Sequence, residues 1–157
     1  MEERFVVETN ILYSFFWKNS PTHRLLHLAA SKDVNLVSPQ FALNELNKHR
    51  EEILFASRIR PNEFGELIKL LPLLVEFVSE SEYIEFLDEA KSIFPEHLKD
   101  VDFFALALKY DCVLWSNEKL HKRQSKVKVL NTDELRALLE KPKDDSKPED
   151  GSDSEPE

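Results

Sequence analysis

Carboxylates stand where apolar segments of this chain begin or end. Glu8 follows Phe5-Val6-Val7 and opens Glu8-Thr9-Asn10. Glu45 lies in a helix-forming stretch from Phe41 to Arg50. Asp100 and Asp102 open the run Phe103-Phe104-Ala105-Leu106-Ala107-Leu108, and Glu118 follows Cys112-Val113-Leu114-Trp115 through Ser116-Asn117. In an open α/β sheet the strands' carboxyl ends share one crevice, where ligands bind. Carboxylates brought together there repel unless a cation lies between them. Hard ions such as Mg²⁺ or Mn²⁺ take oxygen ligands. The chemistry indicated is metal-dependent phosphoryl transfer. Each acid also has a plainer role. Glu8 can cap a helix, with Asn10 either orienting its carboxylate or capping in its place, and Glu45 can pair with Lys48 or His49. Asp100 and Asp102 suit a helix N-terminus, and Glu118 can pair with Lys122.

Other chemistries find little support. Only Gly65 and Gly151 are glycines, so a glycine-rich phosphate loop is absent. Cys112, the single cysteine, excludes a disulfide framework and zinc-finger spacing; it reads as a buried, inert thiol. His23, His27, His49, His97 and His121 show no metal spacing. His23 and His27 are one helical turn apart but lack a third ligand. No nucleophile elbow or catalytic triad is recognisable.

The length of 157 residues fits one domain. The net charge is −9, of which residues 141–157, with three Lys against seven Asp and Glu, carry −4. An acidic balance counts against nucleic-acid binding, which relies on Lys and Arg, except that a bound metal offsets its own carboxylates. No apolar run is long enough for a signal peptide or a membrane span, so a cytoplasmic protein is expected.

Elements must bring the acids together. Arg4 to Val7 reads as a short buried strand, followed by a helix from Ile11 to Lys18 capped by Thr9 or Asn10. Ser20-Pro21 starts a second helix, to about Ser31. Asn35 to Ser38 is a strand, and one long helix is expected from about Gln40 to Arg58. Pro61 starts a helix to about Leu71, and Leu73 to Val78 is a strand bounded by Pro72. Helices follow from Ser81 to near Pro95 and from Lys99 to Tyr110. Cys112 to Trp115 is a strand, Asn117 to Gln124 a short helix or turn, Lys126 to Leu130 a strand, and Thr132 to Glu140 a helix capped by Asn131 or Thr132. Strands alternating with helices imply an α/β fold with a central parallel sheet and helices on both faces. Residues 1–140 form the expected domain. Residues 141–157, rich in Asp, Glu, Ser and Pro, are expected to be a disordered acidic tail, either solvated charge or a regulatory, partner-binding segment.

The ordered set resembles the PIN domain family of small metal-dependent ribonucleases. It comprises Val6-Val7-Glu8-Thr9-Asn10-Ile11-Leu12, Glu45-Leu46-Asn47-Lys48-His49, Asp100-Val101-Asp102-Phe103-Phe104-Ala105-Leu106-Ala107-Leu108 and Leu114-Trp115-Ser116-Asn117-Glu118. The Trp-Ser-Asn-acid stretch looks most like archaeal members. The resemblance spans about Arg4 to Leu139 and implies a three-layer α/β/α sandwich and a Mg²⁺- or Mn²⁺-dependent endoribonuclease. It assigns Glu8, Glu45, Asp100 and Glu118 as the four acids. Asp102 is then an accessory metal ligand, or the third acid itself if the register slips by two. Thr9, Asn10, Ser116 and Asn117 would support the site by hydrogen bonds. Lys48, Arg50, Lys119, Lys122 and Arg123 are candidate RNA phosphate contacts, with a solvated basic face as the plainer reading. Glu8 and Glu118 depart from the family's usual Asp. This motivates a rival reading, a catalytically weakened PIN-fold module that binds RNA or protein. A second rival is an unrelated α/β interaction module whose acids are caps and surface charges. The family includes toxins of toxin–antitoxin pairs, so an antitoxin-like protein is an implied partner beside RNA. Relatives often dimerise; Phe15, Phe16 and Trp17 would supply apolar interface or else pack in the core.

Overall fold

The computed structural model describes residues 3–140. The acidic segment 141–157 expected to be disordered lies outside them. Strand β1 (Arg4–Val7) is fully buried beyond its first residue and is the middle of a five-stranded sheet. Its neighbours are β2 (Asn35–Pro39) on one side and β4 (Val113–Trp115) on the other, with β3 (Val75–Val78) and β5 (Val129–Leu130) at the edges. All four pairings are parallel. A parallel strand covered on both faces must be apolar on both, which Phe5-Val6-Val7 satisfies.

Eight α-helices flank the sheet among the described residues: α1 (Thr9–Ser14), α2 (Pro21–Ser31), α3 (Gln40–Lys48), α4 (Arg50–Ser57), α5 (Pro61–Leu74), α6 (Leu87–Ile93), α7 (Val101–Tyr110) and α8 (Thr132–Glu140). Helix α7 lies across β1, β2 and β4 and packs on α6, whereas α2 meets α8, α5 and β2. This is the three-layer α/β/α sandwich expected. The core runs through Val6, Leu36, Leu114, Trp115, Phe103, Phe104 and Leu106. Burying each such side chain contributes about 1.5–3 kcal/mol. Phe15 and Phe16 are fully buried, so they belong to the core rather than to an interface; only Trp17 of that trio keeps partial exposure. No helix of the described residues is long and apolar enough to cross a membrane.

Local chemistry moves several boundaries. The long helix expected from Gln40 to Arg58 is broken at His49, whose backbone leaves helical geometry at φ −98° and ψ 26°. Helix α5 does not stop at Leu71. It runs on to Leu74 with Pro72 inside it, giving up one i→i−4 hydrogen bond, and delivers the chain straight into β3. The helix expected from Ser81 is two 3-10 turns, Glu80–Glu82 and Ile84–Phe86, before α6. Tyr83, buried between those turns, reaches across to Asp102 instead of following a helical path. Strand β5 is shorter than Lys126 to Leu130 because the Gln124 side chain bonds Val127: the Val127 N–H donates to Oε1 at 2.8 Å and Nε2 donates to the Val127 carbonyl at 2.7 Å. Helix α1 ends at Ser14, and its cap is Glu8, not Thr9 or Asn10.

Candidate functional site

The strand order β3-β2-β1-β4-β5 reverses direction at β1 and β4. The carboxyl ends of these two strands therefore splay their loops apart, and this switch point is where such sheets bind ligands. Glu8 leaves β1 there; its N–H still donates to the Trp115 carbonyl of β4 at 3.2 Å. Beside it, Ser38 Oγ donates to the Val7 carbonyl at 2.8 Å, which closes the last polar group of β1. Helix α7 runs back against the sheet, so its N-terminus, with Asp100, returns to the same edge. Helix α3 starts directly at the end of β2 and brings Glu45 to the rim one turn on.

A cleft of about 900 Å³ opens at this edge. Glu8, Glu45, Asp100 and Asp102 line it, with Thr9, Asn10, Tyr13, Phe41, Asn44, His49, Tyr83 and Lys99. Glu8 is only 5% exposed. Its Oε2 accepts the Asn10 backbone N–H at 2.9 Å, while its buried Oε1 has no hydrogen-bond partner. Burial pushes the Glu8 carboxyl above its ordinary range; the Asn10 N–H and His121 pull it down, and the neighbouring charges of Asp100 and Glu118 push it up. Glu8, Asp100, Glu118 and His121 are thus near enough to feel one another, although Glu118 is exposed and not part of the cleft wall.

The other assigned acids have partners. Glu45 Oε1 lies 3.3 Å from His49 Nε2, and His49 Nδ1 lies 2.5 Å from Glu52. His49 rather than Lys48 is therefore the partner of Glu45. Glu118 caps the 3-10 turn Lys119–Arg123, accepting from the Leu120 N–H at 3.4 Å. Asp102 accepts a short hydrogen bond from the buried Tyr83 hydroxyl. Burial, then that bond, drives the Tyr83 phenol far above its ordinary range, so it stays a donor. Asp102 therefore meets Tyr83, while Asp100 Oδ2 lies 3.0 Å from His121 Nε2.

Of the supporting residues, Asn10 acts through its backbone. Asn117 Oδ1 accepts the Thr132 N–H at 2.8 Å and ties the loop after β4 to α8. Thr9 lines the cleft. Ser116 is buried; its Oγ accepts the Glu118 N–H at 3.0 Å and meets His121 Nδ1 at 2.7 Å. The basic candidates do not line the cleft. Arg50 pairs with Glu51 at 2.9 Å, and Lys122 pairs with Glu134 at 2.5 Å, not with Glu118. Lys48, Lys119 and Arg123 are exposed. The lysine that does line the cleft is Lys99, which sequence reading passed over although it adjoins Asp100. Cys112 is half-buried rather than buried as expected, and that partial burial lifts its thiol to about 11.

Among the described residues no group of three or more His, Cys, Asp or Glu is already arranged as a metal site. The donor set nevertheless suits a hard cation: an orphaned, buried carboxylate oxygen with two further carboxylates near it.

Comparison with known proteins follows the same line. No curated protein matches the chain significantly. Among solved structures, a chain of VapBC2 from Rickettsia felis bound to a DNA fragment from their promoter superposes with a TM-score of 0.62 at 15% identity, over 82% of this chain and 98% of that one. PAE2754 from Pyrobaculum aerophilum superposes with a TM-score of 0.59 at 11% identity, over 87% of this chain and 89% of that one. Identities this low speak for the fold alone. The sequence profile of the PIN domain matches residues 6–140, from the middle of β1 to the end of α8. The chain belongs to the PIN domain family.

Proposed function

We propose that the protein is a metal-dependent endoribonuclease, with Mg²⁺ or Mn²⁺ held by Glu8, Asp100 and Glu118, and Glu45 and Asp102 lining the same cleft. The observation that carries this is Glu8 Oε1: a buried carboxylate oxygen without a partner, pressed by two more carboxylates, at the sheet's switch point. An arrangement so unfavourable for bare charge is one that a divalent cation relieves. When bound, the metal supplies the positive charge against which in-line phosphodiester hydrolysis develops its negative charge. The chain's own residues do the rest. Asn10 N–H holds one Glu8 oxygen and leaves the other without a hydrogen-bond partner. Tyr83 fixes Asp102. Lys99, with Lys48, Lys119 and Arg123 outside the cleft, offers phosphate contacts that an acidic protein otherwise lacks. The similarity to a VapBC2 chain supports an antitoxin-like protein as partner.

The test is cleavage of a mixed single-stranded and structured RNA pool by the full chain with Mn²⁺, Mg²⁺ or EDTA. Cleavage should need metal and drop by at least about a hundredfold in Asp100→Asn. A second reading, a binding module that no longer cuts, is favoured by the partners that Glu45 and Asp102 already have. Folded wild-type protein that binds RNA but leaves it intact with either metal would select that reading.

A further inference from the structure

We infer that His121 is a positioning residue that fixes the Asp100 carboxylate, with Ser116 deciding which imidazole nitrogen carries the proton. The inference rests on the reading of Glu8, Asp100 and Glu118 as the acid site. Its own basis is a hydrogen-bond ledger in a buried place. Ser116 and His121 are each 1% exposed. Ser116 Oγ already accepts the Glu118 N–H, so one lone pair is taken. Its O–H still needs an acceptor, and the group facing it is His121 Nδ1 at 2.7 Å. Leaving a buried hydroxyl without an acceptor is unfavourable. Nδ1 is therefore the acceptor, and the ring proton sits on Nε2. Nε2 lies 3.0 Å from Asp100 Oδ2, close but not yet aligned as a hydrogen bond. The edge contact of Phe104 and the tilted contact of Phe94, with ring centroids 5.3 and 6.1 Å away, hold the imidazole in that attitude.

The result is two hydrogen bonds and one close approach in series: Glu118 N–H to Ser116 Oγ, Ser116 O–H to His121 Nδ1, and His121 Nε2–H towards Asp100. It couples the loop carrying one acid to the helix start carrying another. Outer partners that orient ligating carboxylates commonly change metal affinity by about 10–100-fold. His121 would do this from a buried position. The alternative, Nδ1–H donated to Ser116 and a bare Nε2 acting as a ligand itself, leaves the Ser116 proton without an acceptor and turns a lone pair toward Asp100.

Two readouts decide it on the full chain. The first is the ¹⁵N spectrum of histidine-labelled, metal-free protein. We expect a protonated Nε2 at His121, and a changed His121 signal in Ser116→Ala. A proton on Nδ1 with Nε2 bare overturns the inference in favour of the ligand role. The second is Mn²⁺ titration by calorimetry. His121→Gln, whose amide nitrogen replaces the donor, should stay within about threefold of wild type, and His121→Leu should bind at least about tenfold more weakly. Wild-type affinity in a folded His121→Leu sinks the inference. Should that variant not fold, Ser116→Ala decides by the same criterion, with several-fold weakening expected. If wild-type protein binds no Mn²⁺, the nuclease reading falls, and the metal-free spectrum still decides the role of His121.

Discussion

Glu8 is where the cost of the site is concentrated. Its carboxyl is held above the ordinary range chiefly by burial, so the folded chain binds that proton more tightly than the unfolded chain does. Stability contributed by such a group is present at low pH and falls as pH rises from the ordinary carboxylate range through the raised value. Glu8→Gln keeps the acceptor for Asn10 N–H and removes the charge. In EDTA the variant should therefore be more stable than wild type at neutral pH, by on the order of 1 kcal/mol per unit of raised pKa. The gap should close towards about pH 4, and saturating Mn²⁺ should reverse it by stabilising wild type alone. Thermal melts across that range check it; a variant that is less stable in EDTA at neutral pH contradicts the account. That Glu8 and Asp100 would stand at one sheet edge was legible in the sequence, because each adjoins a short apolar run whose end must reach that edge. His121 was not, because metal-site spacing compares neighbours along the chain. Its partners are Ser116, five residues back in a turn, and Asp100 on another element. The available signal was Ser116 itself, a small hydroxyl after a fully apolar strand, which needs a polar partner once buried.

At the scale of elements, the apolar patterns located the strands, and side-chain hydrogen bonds set their limits. Gln124 withdraws Val127 from β5, and Tyr83 divides a helix into turns; neither act shows in periodicity. The helix break at His49 and the end of α4 are likewise local backbone events. Arg58 caps α4 with φ 63°, the left-handed region, where a side chain costs about 1–2 kcal/mol and glycine costs little. Arg58→Gly should raise stability by about 0.5–1 kcal/mol after the entropic loss of glycine in the unfolded chain, or roughly 2–4 °C in Tm. Asp111 caps α7 in the same region at φ 51°, but aspartate tolerates it better, so Asp111→Gly should gain less. Differential melting of the two variants separates them. Equal gains contradict the side-chain argument.

For the whole molecule, alternation of strands and helices was enough to specify a parallel sheet with covered faces. It could not specify the strand order, since β1 and β4 are joined only through a long connection and meet by packing of α7. That order is what creates the switch point. Charge acts at the same scale. The chain carries −9, of which residues 141–157 contribute −4 and residues 1–140 the remaining −5. Under the proposed function, an RNA phosphate approaching the cleft would meet this field before it met Lys99. Screening sets the reach of the field: the Debye length is about 10 Å at 0.1 M salt and about 3 Å at 1 M. Converting the seven tail acids to their amides in the full chain, on an Asp100→Asn background that does not cut, should tighten RNA binding a few-fold at about 0.05 M salt. The gain should shrink steadily and disappear near 1 M. Fluorescence anisotropy across a salt series reads both limits. A gain that persists at 1 M means the tail competes by direct contact rather than through the field. No gain at low salt means the local positive charge at the cleft outweighs the molecule's net balance.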